Sequence, residues 1–116
     1  MAASGTSVAL LQGTLDVIVL KTLSWGPMHG FGIARWIQQT TGDVLRVEEG
    51  SLYPSLYRME NRGWVRAQWR ITDNHRRAKY YSLTAAGRRQ LAAQSTTWSA
   101  FSVAMGRIMS ATRQPA

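Results

Sequence analysis

The chain has 116 residues and a formal net charge of +8, and it contains no cysteine. This length suits one small domain, and the lack of cysteine excludes disulfides and thiolate-ligated metal sites. No apolar run is long enough to cross a membrane and no secretion signal is recognisable, so we expect a cytoplasmic protein with no membrane partner.

Two helices are predicted in the first third of the chain. Residues 9–24 place apolar side chains at helical spacing, among them Leu11, Leu15 and Ile18. Because this helix is apolar on more than one side, we expect it to contact its own domain and also a partner. Residues 29–41 form the second predicted helix, which a Gly-Asp pair ends.

A third helix is predicted over residues 49–62. Glu48 and Glu49 at its start are expected to cap it, because a helix N-terminus carries partial positive charge. Pro54 is then expected in the first turn, where its missing N–H costs little. Apolar residues at i, i+4 and i+7 form the buried stripe. The opposite, exposed face is predicted to carry Pro54, Tyr57, Arg58 and Asn61, with Tyr53 on its flank.

The following segment predicts a β-hairpin. Residues 64–70 alternate apolar with basic or polar side chains, as an edge strand does, and residues 78–83 read as the returning strand. The loop between them, residues 71–77, contains turn-forming residues and then a basic tip. The side chains of this tip are His75, Arg76 and Arg77.

Residues 85–110 predict one long final helix, with Thr84 as its N-cap. A helix of this size is about 39 Å long, and the preceding domain is too small to cover all of it. Its apolar residues recur with a spacing near seven, so we expect the surplus stripe to pack against a second subunit. The stripe consists of Leu91, Trp98, Phe101, Met105 and Ile108.

These elements predict a mainly α protein with a two-stranded β-wing, an α+β winged helix-turn-helix. We assign residues 9–83 to a DNA-binding domain, residues 84–110 to a dimerisation helix, and residues 1–8 and 111–116 to flexible tails. Residues 46–89 carry ten basic side chains against four acidic ones. A concentrated basic field attracts phosphate polyanions, although a generally basic soluble protein would also show one.

In a winged helix-turn-helix the third helix enters the major groove of DNA, and the wing reaches the backbone or the neighbouring minor groove. The two tyrosines of the third helix have packing as an alternative role, and the wing arginines have simple solvation. The predicted DNA-binding residues are Ser51, Tyr53, Pro54, Tyr57, Arg58, Asn61, Arg76, Arg77 and Lys79. The predicted dimer interface comprises Leu11, Leu15, Ile18, Leu91, Trp98, Phe101, Met105 and Ile108.

Catalytic and metal sites are not predicted. The sequence offers no nucleophile–base pair, no phosphate-binding loop and only two histidines. We interpret His29, which opens the second helix, as a capping or packing residue. We therefore expect no enzyme activity, no metal and no cofactor.

Four motifs are similar to the PadR family of bacterial transcriptional regulators: GTLD, GPMHGFGIA, VEEGSLYPSLYRMENRGWV and NHRRAKYYSLTAAGRRQL. The resemblance covers residues 11 to about 91, and it departs from many relatives at Trp64. It implies a homodimeric repressor of the small subfamily, whose C-terminal helix packs against the first helix of its partner. The two-fold symmetry of such a dimer predicts an inverted-repeat DNA operator.

An effector pocket is implied by the same resemblance, because some small relatives bind aromatic or cationic drugs between their subunits. Trp98 and Phe101 are the residues that would line such a pocket. Two other functions stay open at the level of sequence. One is an architectural DNA-binding protein without a preferred operator, and the other is a protein-interaction adaptor that uses the apolar stripe.

Overall fold

Four helices and a three-stranded antiparallel sheet make up the part of the chain that the computed structural model describes, residues 12–114. Leu11, the preceding tail and the last two residues lie outside this range. None of the described helices is both long and apolar enough to cross a membrane. The elements in chain order are α1 (Gln12–Leu23), β1 (Met28–His29), α2 (Gly30–Thr40), α3 (Glu49–Asn61), β2 (Val65–Ile71), β3 (Arg77–Leu83) and α4 (Ala85–Ser110).

The sheet has one strand more than the sequence predicted. Its order is β1-β3-β2, and β1 pairs with β3 through Met28 opposite Tyr81 and His29 opposite Tyr80. A strand of two residues has no periodicity, which is why the alternation that predicts strands did not reveal it. The predicted class, mainly α with a small β-wing, is confirmed.

Two of the helices begin at side-chain caps. The Nδ1 atom of His29 accepts a hydrogen bond from the backbone N–H of Gly32 at 2.9 Å, which confirms the capping interpretation of this histidine. Thr84 is the N-cap of α4, as predicted, and its Oγ1 accepts from the N–H of Gly87 at 3.0 Å. Each cap satisfies a backbone donor that has no partner inside the helix.

The start of α3 corrects two predictions. Glu48 occupies the N-cap position but makes no side-chain capping hydrogen bond, so only Glu49, in the first turn, favours the positive helix end. Pro54 is the sixth helical residue and lies in the second turn instead of the first. Because proline has no N–H, the carbonyl of Gly50 receives no helical hydrogen bond from it.

The core of the domain is formed by α1, α2 and α3 with the base of the wing. Leu15, Val19 and Leu23 follow one another at helical spacing and are all buried. Leu15 is only 2% exposed, so it has no surface to offer a second subunit. The predicted interface assignment of this residue is therefore corrected: the helix turns this side inward, and Leu15 packs within its own domain.

The junction between the wing and α4 is unusually close. A Cβ atom added to Gly87 would overlap the carbonyl oxygen of Trp64 and would lie 3.0 Å from its carbonyl carbon. The same carbonyl accepts a hydrogen bond from the backbone N–H of Thr84 at 3.1 Å, and Thr84 Oγ1 donates to the carbonyl of Gly63 at 2.6 Å. These contacts fix where α4 leaves the domain.

Beyond this junction, α4 extends away from the domain. The radius of gyration is 16.3 Å and the longest extent is 63 Å, whereas a compact chain of this length has a radius of gyration of about 13 Å. From residue 95 to residue 110 every side chain of α4 is exposed.

Candidate nucleic-acid interface

The outer face of α3 presents most of the side chains predicted to bind DNA. Tyr57 is 67% exposed and Tyr53 is 41% exposed. Pro54 and Asn61 are also exposed, while Ser51 is half-buried. The face is available because the buried residues of α3 occupy its opposite side.

The wing extends past the core, so its inner face is only partly covered. Val65 lies opposite Leu83 at the buried base, whereas further out Trp69 lies opposite Lys79 and Ile71 lies opposite Arg77. Opposite residues in antiparallel strands share a face. Trp69 and Ile71 therefore lie on the same side of β2 as the buried Val65, yet both are exposed. Sequence analysis did not identify them as surface residues.

Residues 72–76 join the two strands of the wing, and because the first and last of them pair with each other, the loop itself consists of the three residues 73–75. The N–H of Thr72 donates to the carbonyl of Arg76 at 2.7 Å, and the N–H of His75 donates to the carbonyl of Thr72 at 2.9 Å. His75 has φ 60°, the left-handed conformation that such a loop requires at its last position. Arg77 is the first residue of β3 and does not belong to the loop, which corrects the predicted boundary.

Cations of the wing lie over aromatic rings. The guanidinium carbon of Arg77 is 4.7 Å from the Trp69 ring centroid, and that of Arg70 is 5.2 Å from the Tyr80 ring centroid. Both distances fall within the range of a cation–π interaction. Lys79 Nζ lies 3.9 Å from Glu60 Oε1 of α3, so its charge is partly compensated within the subunit.

A groove joins the wing to the helices. It has a volume of about 650 Å³ and opens between the inner face of the wing, the start of α2 and the flank of α3. It brings together four predicted DNA-binding residues: Tyr53, Arg76, Arg77 and Lys79. The other five, Ser51, Pro54, Tyr57, Arg58 and Asn61, do not line it.

Sequence analysis also missed other residues of the groove, including three with large rings. His29 is the last residue of β1 and the N-cap of α2, Phe31 lies in the first turn of α2, and Trp69 comes from β2. Phe31 is 68% exposed. Its position between two glycines in the first helical turn was the available signal, since a large aromatic residue there has few neighbours to cover it.

Gly30 gives the Tyr53 ring the space it occupies. A Cβ atom at Gly30 would lie 2.7 Å from Cζ of Tyr53 and closer still to its hydroxyl. Behind Tyr53, burial raises the pKa of Tyr81, and the nearby Tyr53 and Glu60 raise it further. Tyr81, like any tyrosine, is uncharged at neutral pH, and the raised pKa keeps it uncharged at higher pH as well, so it adds no negative charge to the groove.

Arg58 is less free than the sequence predicted. Its Nη2 donates to Asp16 Oδ1 at 2.9 Å, and its side chain is 30% exposed. Ser55, on the same helix, donates its Oγ to the same oxygen at 2.6 Å. Arg58 thus marks the border of the outer face of α3, on the side of α1.

A second groove lies below Trp98, between α1, α2 and α4, with a volume of about 570 Å³. Trp98 lines it as predicted, whereas Phe101 does not and packs on Trp98 with 5.6 Å between ring centroids. Lys21 is the only charged residue that the described part of the chain contributes to the lining. The remaining residues are apolar or carry hydroxyls: Thr14, Val17, Ile18, Trp36, Ile37, Thr41, Leu45, Ser95 and Ser99.

The predicted dimer residues separate into two groups. Trp98, Phe101, Met105 and Ile108 are exposed on α4 and remain candidates. Ile18 and Leu91 are half-buried and pack against the core of their own subunit. Val103 and Met109 are also exposed on α4, and the spacing near seven did not include them.

Within residues 12–114, no group of three or more His, Asp or Glu side chains could hold a metal ion.

Comparison with known proteins gives a consistent result. The model of the Transcriptional regulator PadR-like family matches residues 19–93. A protein of Thermoplasma acidophilum, solved as a candidate transcriptional regulator, superposes with a TM-score of 0.77 at 26% identity and covers 90% of this chain and 99% of its own. A PadR-like transcriptional regulator of Bacillus cereus has a TM-score of 0.76 at 23% identity and covers 89% and 98%. An uncharacterized protein of Lysinibacillus sphaericus is 25% identical over 89 residues, 77% of this chain and 82% of that protein.

Proposed function

The chain belongs to the PadR-like family of transcriptional regulators, which are not enzymes, and from this premise we propose that it is a homodimeric, sequence-specific repressor acting in the cytoplasm. It binds double-stranded DNA through α3 and the wing. A small molecule bound beside Trp98 releases it.

The observation that carries this proposal is the shared groove. Tyr53 of α3 and the wing residues Arg76 and Arg77 line one opening, so a helix that enters the major groove and a wing that reaches the next groove would have one DNA strand between them. Arginine side chains and tyrosine hydroxyls are suitable donors to phosphate oxygens. Tyr57 lies outside the groove and is 67% exposed on α3, and in this proposal it contacts bases.

The exposed apolar side of α4 supports the dimer. Trp98, Phe101 and Ile108 lie on a helix that extends beyond its own domain, and an apolar stripe of this kind is normally covered by another helix. A two-fold axis would then pair two DNA-reading helices. The operator is expected to be an inverted repeat, with half-sites about one or two turns of DNA apart.

The groove below Trp98 is the candidate effector site. Its aromatic and aliphatic lining suits a flat aromatic molecule. Lys21 supplies a positive charge and no carboxylate lines the groove among residues 12–114, so we revise the expected ligand from aromatic or cationic to aromatic and either neutral or acidic.

The experiment starts by selecting binding sites for the full-length protein from a random pool of duplex DNA. Enrichment of an inverted repeat supports the homodimeric, sequence-specific reading. Enrichment of a single half-site contradicts the dimer, and no enrichment despite binding favours the alternative, an architectural DNA-binding protein.

Variants then test the two contact surfaces on the enriched duplex. Tyr57→Ala is expected to reduce the preference for particular bases, because each well-made contact favours the correct base over a wrong one by about 1–3 kcal/mol. Arg76→Ala/Arg77→Ala is expected to weaken binding to all sequences. If both arginines contact phosphate, the slope of log K against log salt falls in magnitude by about 1.8.

Arg88→Ala/Arg89→Ala is the matched control, because it removes the same charge from an exposed turn of α4. It is expected to leave the salt slope close to that of the wild-type protein. Equal slopes for both double variants would mean that the wing acts only through net charge, and the proposed interface would be wrong.

A further inference from the structure

Asp16 is an acidic side chain at the contact between α1 and α3, and DNA binding as described above does not use it. Its Oδ1 accepts hydrogen bonds from Ser55 Oγ at 2.6 Å and from Arg58 Nη2 at 2.9 Å. The Asp16 side chain is only 12% exposed. One carboxylate oxygen of α1 therefore holds two side chains that lie one turn apart on the DNA-reading helix.

Stability alone is a weak explanation for a carboxylate at this position. Removing a charged pair from water costs several kcal/mol per ion, and well-packed apolar residues of similar volume are often as stable or more stable. This pair is only partly buried, since the Arg58 side chain is 30% exposed, and it is better explained where DNA binding uses the geometry that the pair imposes. The group that this pair orients is the guanidinium of Arg58.

Arg58 keeps donors available beyond this pair. A guanidinium has five N–H donors in a rigid planar fork. Among residues 12–114, the Arg58 side chain makes a hydrogen bond only to Asp16. It also follows Tyr57, which is 67% exposed on the outer face of α3, and lies about 100° around the helix from it.

We propose that Asp16 is a positioning residue for DNA recognition: it fixes the Arg58 guanidinium at the edge of α3 so that its remaining N–H groups contact a DNA phosphate. The inference rests on the proposed function, because it requires that α3 binds DNA. It assigns a role in binding to a residue that itself carries the same sign of charge as DNA.

That sign makes the inference testable. If Asp16 acts only through its charge, its neutralisation reduces repulsion and strengthens DNA binding. If Asp16 positions Arg58, the same substitution weakens binding, because asparagine offers the guanidinium only a neutral oxygen and the phosphate contact loses its fixed geometry. The two accounts therefore predict opposite changes from one substitution.

The experiment measures the affinity of full-length Asp16→Asn for the duplex that the wild-type protein enriches from a random pool, between 50 and 300 mM salt. Asp43→Asn is the matched control. Asp43 is exposed, its Oδ1 accepts from Gln38 Nε2 at 2.8 Å, and its φ of 67° is one that asparagine tolerates. Asparagine can keep that bond, so the control changes charge alone.

The expected result has three parts. Arg58→Gln weakens DNA binding by about tenfold, as loss of one charge-assisted contact does. Asp16→Asn weakens DNA binding by at least about threefold, whereas Asp43→Asn does not weaken it. In the Arg58→Gln background, Asp16→Asn changes affinity by less than about twofold, because the residue it acts through is already gone. Asp16→Glu, which keeps the net charge but moves the carboxylate, also weakens binding.

Several outcomes would overturn the inference. One is that Asp16→Asn binds DNA as tightly as Asp43→Asn. Another is that Asp16→Asn loses as much affinity in the Arg58→Gln background as in the wild-type background, because Asp16 would then not act through Arg58. Should Asp16→Asn not fold, wild-type affinity in Asp16→Glu would lead to the same conclusion. A wild-type protein that enriches no sequence is a different failure, that of the proposed function itself.

Discussion

Replacing Gly87 by alanine should loosen the junction between the wing and α4. The added methyl group would overlap the carbonyl oxygen of Trp64, which is part of the backbone and has little freedom to move. Relief requires α4 to shift away from β2. Such a shift weakens the hydrogen bonds that Thr84 makes to Gly63 and Trp64.

The size of the effect follows from three contributions. Overpacking of a tight contact costs about 1–3 kcal/mol, and a disturbed N-cap costs about 1 kcal/mol. Against these, alanine is favoured over glycine inside a helix by about 1 kcal/mol. The free energy of unfolding of Gly87→Ala should thus be lower by about 2 kcal/mol, which corresponds to a decrease in Tm of about 8 °C for a chain of this length.

Gly106→Ala is the control for the assay, which is thermal unfolding followed by circular dichroism at equal protein concentration. Gly106 belongs to the same helix, has no heavy atom near its missing Cβ, and lies off the apolar stripe. It should gain about 0.5–1 kcal/mol from helix propensity. If both variants melt at or above the wild-type temperature, the close contact at Gly87 does not constrain the junction and the reasoning is wrong.

Two further predictions concern the grooves. Gly30→Ala should displace the Tyr53 ring at little cost in Tm, because the obstructed atoms belong to the end of a side chain. DNA affinity, measured by fluorescence anisotropy, should fall about as much as in Tyr53→Phe. An unchanged affinity would mean that Tyr53 does not contact DNA. In the second groove, an aromatic carboxylate should release DNA at lower concentration than the matching aromatic amine, Trp98→Ala should raise both concentrations about tenfold, and Lys21→Gln should abolish the difference. Equal potency of the two compounds in the wild-type protein would contradict the assigned charge preference.

Most of the secondary structure could be predicted because it rests on local signals. The spacing of apolar residues predicts four helices, and Thr84 predicts the start of α4 to the residue. The start of α3 was read less well, since the carboxylates of Glu48 and Glu49 suggested a cap that neither forms. Local sequence indicates that acidic residues suit a helix start, but not which atoms will reach its N–H groups.

The site was harder to predict because it depends on contacts between distant segments. Arg58 points outward by helical periodicity, yet it meets Asp16, which lies 42 positions earlier in the chain. Trp69 follows the alternation of a core-facing residue, yet the wing extends beyond the core at that point. Periodicity identifies the side of an element that faces the domain, and only the fold shows where the domain ends.

The three-residue loop at the wing tip limits how the hairpin can vary in length. Its hydrogen bonds and the left-handed His75 set the pairing of Ile71 with Arg77, and every later pair follows from that one. An insertion or deletion that slipped β3 by a single position would turn Leu83 outward and Arg77 to the opposite surface. Changes in loop length that alter this pairing should therefore be rare among homologous wings, whereas substitutions that suit the backbone of the tip leave the pairing in place.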